Sequence, residues 1–207
     1  LRFTYTFWPL EQVSKKIKEH FMNKNDYDKE SAVRISLLDV MFGVVLAYGF
    51  NFFDKAEDYT DYFRFFFAIA VFVIDWIYVH SIYWGSEYKK NLFLVLDIGI
   101  LFSISRLLST STAHTPNYFL WLSILFGFYV TWDYISIKNK LPSEYDLSYS
   151  LRGDVIASIL FFAFWIVPSI TIIQSDSAFL TVGTLIVYGG AFLTWFKKAP
   201  ALEVKTK

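Results

Sequence analysis

The sequence predicts an all-α membrane protein: six transmembrane helices, both termini in the cytoplasm, and an amphipathic helix ahead of the first crossing. Two observations predict it. Hydrophobic residues make up 55% of the 207-residue chain and collect in six long stretches, roughly 35–53, 63–84, 91–108, 118–137, 153–173 and 179–196. Each approaches the ~20 helical residues that cross about 30 Å of hydrocarbon. Of the 19 basic residues, all but Lys55, Arg64 and Arg106 fall in the N-terminal arm, the second and fourth connections and the tail. By the positive-inside rule those segments share the cytoplasmic side. The expected organisation is a cytoplasmic arm over 1–34, a six-helix membrane domain over 35–197 and a short tail over 198–207.

The elements follow in order. In the arm, Leu10, Val13, Ile17 and Phe21 recur at helical spacing with lysines between them, the pattern of a helix lying on a membrane face or docked beneath the bundle. The first apolar stretch ends at an acidic outer loop with Asp54, Glu57, Asp58 and Asp61. The second runs to Trp84 and the tight turn Gly85-Ser-Glu-Tyr-Lys-Lys90. The third closes with Ser105-Arg106 and a Ser/Thr-rich loop that carries His114 and Pro116. Lys138 to Leu151, turning at Leu141-Pro142-Ser143-Glu144, is the longest inner loop, and Pro168 is expected to kink the fifth helix, which membrane helices tolerate. No short-period repeat is visible. A weak duplication relates Arg34-x4-Asp39, opening the first stretch, to Arg152-Gly-Asp154, opening the fifth.

Composition removes several function classes. A formal net charge of zero and the absence of a basic, aromatic-interleaved stripe argue against nucleic-acid binding. With no Cys there is no disulfide, thiolate metal site or thiol nucleophile. His20, His80 and His114 lie in separate regions without metal-ligand spacing, so no metal and no cofactor is expected. No phosphate-cradling glycine loop or Gly-x-Ser-x-Gly elbow exists, and no removable signal is expected. The expected protein is not an enzyme, an intramembrane Asp pair being the one catalytic alternative. Thr181-Val-Gly-Thr184 resembles the start of a potassium-channel filter by coincidence only, because it opens a helix instead of a re-entrant loop.

Five aspartates fall inside or at the ends of the apolar stretches: Asp39, Asp75, Asp97, Asp133 and Asp154. On the six-span topology all lie toward the cytoplasmic ends of their helices, with Asp75 a turn deeper. A carboxylate in hydrocarbon costs a few kcal/mol, roughly 2.5–3.5 on insertion scales, so it turns to partners or to water. Arg34, Arg152 and His80 are the cationic partners at that depth, with Trp76, Trp84, Trp132 and Tyr78 as donors. Three cations do not neutralise five acids. The expectation is therefore a net-acidic, hydrated and proton-sensitive inner network of Arg34, Asp39, His80, Asp75, Asp97, Asp133, Arg152 and Asp154. Asp133 and Asp154 read equally well as wet helix ends.

The first stretch reads separately. Gly43, Ala47 and Gly49 permit close helix approach, while Val44, Tyr48 and Asn51 align on a face that includes neither Gly43 nor Ala47. Repeated around an oligomer axis, Val44 would form a hydrophobic constriction of the kind that gates ions. Ordinary core contact is the plain alternative.

Arg34-Ile-Ser-Leu-Leu-Asp39-Val-Met-Phe-Gly-Val-Val-Leu resembles the opening of the first helix in the transmembrane protein 175 family of potassium channels. Trp76-Ile-Tyr-Val-His80 and Asn91-Leu-Phe-Leu-Val-Leu are similar to that family's next two helices. Leu37-Leu38 departs from the family's Phe-Ser, and Arg34 stands one residue closer to its Asp. The resemblance implies a homotetramer with the first helix at the axis, an Arg34, Asp39 and His80 network, and an apolar narrowing at Val44. The function expected from residues and resemblance together is a homo-oligomeric cation channel, selective for potassium, in the lipid bilayer. It has pore-lining Val44, Tyr48 and Asn51 and an acidic vestibule for monovalent cations. An ion- or proton-coupled carrier of small solutes and a membrane scaffold are the alternatives.

Overall fold

A computed structural model describes residues 29–83, 91–113, 115–140, 145–170 and 178–198. The amphipathic arm, His114, the turns at 84–90 and 141–144 and most of the tail lie outside them, as do the side chains of Arg34 and His80. Among the described residues the fold is all-helical: α1 Lys29–Phe50, a 3-10 turn Phe53–Lys55, α2 Tyr59–Tyr83, α3 Asn91–Thr110, α4 Asn117–Lys138, α5 Leu147–Ile170 and α6 Ala178–Trp195.

The six-span expectation is corrected. Four described helical segments are long and apolar enough to cross a membrane: Ser36–Lys55, Leu92–Thr110, Asn117–Lys138 and Leu147–Pro168. Among the described residues, α2 is not one of them. α6 falls short by length, since its 18 residues span about 27 Å at 1.5 Å per residue. What stands is an integral, multi-pass membrane protein.

α4 and α5 form the most extensive helix pair, and small residues explain why. Ser123 Oγ–H donates to the Ser158 carbonyl and Ser158 Oγ–H to the Ser123 carbonyl, both at 2.9 Å. Gly127 lies beside this exchange, within 4.0 Å of Ser158 Oγ. Close approach through small and hydroxyl side chains is how helices associate where lipid is as apolar as leucine. The same device recurs at Gly99 against Phe128, Gly183 against Phe164 and Gly153 against Thr194. In α1 it holds for Gly49, where a Cβ would stand 2.7 Å from Leu108, but not for Gly43, which meets nothing within 4 Å.

α1 and α2 meet instead through large rings, Phe42 edge-on to Phe72 with centroids 5.0 Å apart and Phe50 against Phe65. α1 is the most peripheral span: only 17% of Ser36–Lys55 is buried, against 50% of Leu92–Thr110. Asp146 caps α5 by accepting from Ser148 N and Tyr149 N. Its own N–H donates to the Lys197 carbonyl at 2.8 Å, pinning the end of α6 to the start of α5. The expected acidic outer loop is also corrected in part. Asp61 and Arg64 are buried on α2, and the Arg64 guanidinium lies over the Tyr118 and Phe119 rings at 5.3 and 5.4 Å. Cation–π contact and the buried stem make that position tolerable.

Candidate functional site

Asp75, Asp97, Asp133 and Asp154 are each at most 3% exposed. The wet-helix-end reading of Asp133 and Asp154 is thereby excluded. The odd-numbered helices bring their acids in near their starts and the even-numbered ones near their ends, which sets all of them at one end of the bundle.

Two pairs result. Asp97 on α3 is an electrostatic neighbour of Asp75 on α2, and Asp133 on α4 is one of Asp154 on α5. The donors described beside three of these acids are neutral. Ser150 faces Asp133, the Trp195 indole N–H donates to Asp154 Oδ1 at 2.7 Å, and the Tyr129 hydroxyl faces Asp75. Asp75 Oδ2, Tyr129 OH, Asp133 Oδ2, Ser150 Oγ and Tyr188 OH are all buried without a fully formed hydrogen bond. Burying a polar atom without a partner costs roughly 1–3 kcal/mol, and here Tyr129 faces Asp75 and Ser150 faces Asp133, which leaves the Tyr188 hydroxyl as the most isolated of the five.

Tyr129 and Tyr188 join the pairs. Each lies within electrostatic range of both Asp75 and Asp154. Ring contacts fix them there: Tyr188 stands edge-on to Phe67 with centroids 4.9 Å apart, and Tyr129 edge-on to Trp195 at 5.1 Å. Phe67, Val71 and Asp75 share one face of α2 at four-residue spacing, which carries the Tyr188 side of α6 onto the acid.

Asp39 stands apart. It is exposed on α1 and accepts from the Trp76 indole N–H at 3.1 Å. Arg152 is exposed at the start of α5, away from the buried acids. Of the expected network, four acids are buried, Asp39 accepts from the Trp76 indole and Arg152 is exposed, while the Arg34 and His80 side chains lie outside the described residues. Val44 is 62% and Tyr48 44% exposed. Asn51 is also exposed, its side-chain amide donating to the Tyr48 carbonyl at 3.2 Å.

The sequence reading missed Tyr129, Tyr188, Ser150 and Trp195. A signal existed for Trp195. Asp39 pairs with Trp76 across 37 residues and Asp154 with Trp195 across 41, and between them Trp132 packs on Phe93, one turn before Asp97. Each helical hairpin therefore carries an Asp early on its first helix and a Trp late on its second. The weak duplication of the first and fifth stretches is the visible part of that threefold pattern.

The class defined here is a multi-pass, all-α membrane protein with several buried acidic residues. No protein-family profile, curated protein or solved structure matches this chain.

Proposed function

We propose that the protein is a cation-translocating carrier whose buried carboxyls bind and release the moving or coupled cation. The observation that carries this reading is the enclosure of Asp75, Asp97, Asp133 and Asp154 inside one chain, in two pairs whose described donors are neutral. Ionisable residues at such depth mark ion pathways because their burial is too costly to persist for shape alone. A site inside the protomer serves a carrier directly, whereas an axial pore needs a ring of subunits.

A second reading, a homotetrameric potassium channel with α1 at the axis, is favoured by the outward exposure of Val44, Tyr48 and Asn51. The resemblance of 34–46, 76–80 and 91–96 to the transmembrane protein 175 family supports it too. Flux into proteoliposomes holding the purified full chain tests both. A carrier gives saturable cation flux that depends on a counter-gradient; unitary current steps transfer the assignment to the pore; neither leaves a membrane scaffold.

A further inference from the structure

Resting on the carrier reading, we infer that the cation taken by the acidic cluster is the proton, shared between the Asp75/Asp97 and Asp133/Asp154 pairs through the hydroxyls of Tyr129 and Tyr188. Three observations lead there. The acids come two by two, and among the described residues no group of three or more His, Asp or Glu is placed to hold a metal ion. Hard metal cations take six or more oxygen ligands, so this donor set suits a ligand content with one or two oxygens at a time.

The Tyr188 hydroxyl is, moreover, buried without a hydrogen-bond partner and the Tyr129 hydroxyl faces Asp75; each residue is only 7% exposed and within electrostatic range of both Asp75 and Asp154. A phenol there serves as a bridge because it donates and accepts through one oxygen. Finally, the space around them is filled by Phe67, Phe126 and Trp195 in ring contact with the tyrosines, which favours the smallest cation.

The transfer balances simply. A protonated Asp75 gives its proton to the Tyr129 oxygen while the Tyr129 O–H bond releases its proton to the Asp154 carboxylate. One O–H bond breaks and one forms at each step, the phenol stays neutral, and a single positive charge has moved. Tyr188 offers the parallel route from α6. The groups in range of the bridge are Asp75 from α2 and Asp154 from α5, with Asp97 from α3 beside the first and Asp133 from α4 beside the second. Asp39 and its Trp76 partner complete the acids at this end of the bundle.

Tyr129→Phe and Tyr188→Phe test the inference cleanly. Both keep the ring contacts, Tyr188→Phe removes no formed hydrogen bond and Tyr129→Phe removes only the contact with Asp75, so the variants should fold like the parent, and a purely structural tyrosine would leave transport unchanged. With the full chain in proteoliposomes containing a pH-sensitive dye, the double variant should slow proton uptake about tenfold or more, the factor that a lost hydrogen bond to a charged group represents. Infrared titration of the purified parent should show buried carboxyl bands whose midpoints ignore added NaCl or KCl, with one band lost in Asp75→Asn. Sodium or potassium flux without proton flux, or midpoints moved by those salts, would overturn the proton and leave the carrier standing. Movement of no cation at all would remove both readings. Undiminished proton uptake in the double tyrosine variant would remove the bridge.

Discussion

Replacing Trp195 by Phe should loosen the end of the bundle that holds the acids, by an amount the structure lets one work out. The indole N–H lies 2.7 Å from Asp154 Oδ1, and the two residues are 2% and 1% exposed. A hydrogen bond to a charged group contributes about 1.5–3 kcal/mol in water-soluble proteins. Interhelical hydrogen bonds measured inside a membrane protein average only about 0.6 kcal/mol and reach about 1.7. The short distance, at the lower edge of charge-assisted N–H···O⁻ geometry, puts this bond near the top of the membrane range, about 1.5 kcal/mol. Losing the outer indole ring from contact with Phe126 and Tyr129 adds about 1 kcal/mol. The single variant should therefore lose roughly 2.5 kcal/mol. A double-mutant cycle with Asp154→Ala, read by reversible unfolding in mixed micelles, isolates the bond from the ring. A coupling energy inside the ~0.3–0.5 kcal/mol scatter of independent sites would refute the argument that Trp195 holds Asp154 in place.

Two further outcomes are expected. Lys140, just past the end of α4, holds a left-handed backbone with φ of 52°, which costs a residue with a Cβ about 1 kcal/mol. Lys140→Gly should raise the unfolding midpoint by the equivalent of about 0.5–1 kcal/mol, and a lowered midpoint would contradict that account. Val44→Thr, nearly isosteric and polar, should increase leak conductance in bilayer recordings if α1 lines a path, because a dry constriction works by refusing water. An unchanged leak, together with a Val44→Cys thiol closed to water-soluble reagents, removes α1 from the path.

Hydrophobic runs located the helices closely, because a run of apolar residues between polar turns is a one-dimensional property. The expected 91–108 and 118–137 became Asn91–Thr110 and Asn117–Lys138. α5 began earlier than its apolar stretch because the Asp146 cap lets polar residues form its first turns. The count of crossings was corrected to four among the described helices, and Asp61 and Arg64, which look like loop residues in sequence, are buried side chains in space. The acids themselves were legible, since a carboxylate in an apolar run stands out. Their division into two pairs was not, because it depends on which helices neighbour one another. Tyr129 and Tyr188 were the least legible, being two among 14 tyrosines with nothing local to distinguish them. The small residues of α1 misled in one case: Gly43 has the right type and spacing but faces away from the bundle.

The reciprocal serine exchange between α4 and α5 also bears on how such a molecule moves. Because each hydroxyl bonds the other helix's backbone, sliding one helix along the other by a turn, about 5.4 Å, breaks both bonds at once and exposes two carbonyls to hydrocarbon. The pair is thereby held in register. At the boundary of α1 and α2 the contact is broad aromatic faces together with the Trp76 indole bond to Asp39. Asp75 sits on α2 while Asp133 and Asp154 sit on the registered pair, so on the carrier reading any shift of α2 against that pair would change the distance between the two acid pairs.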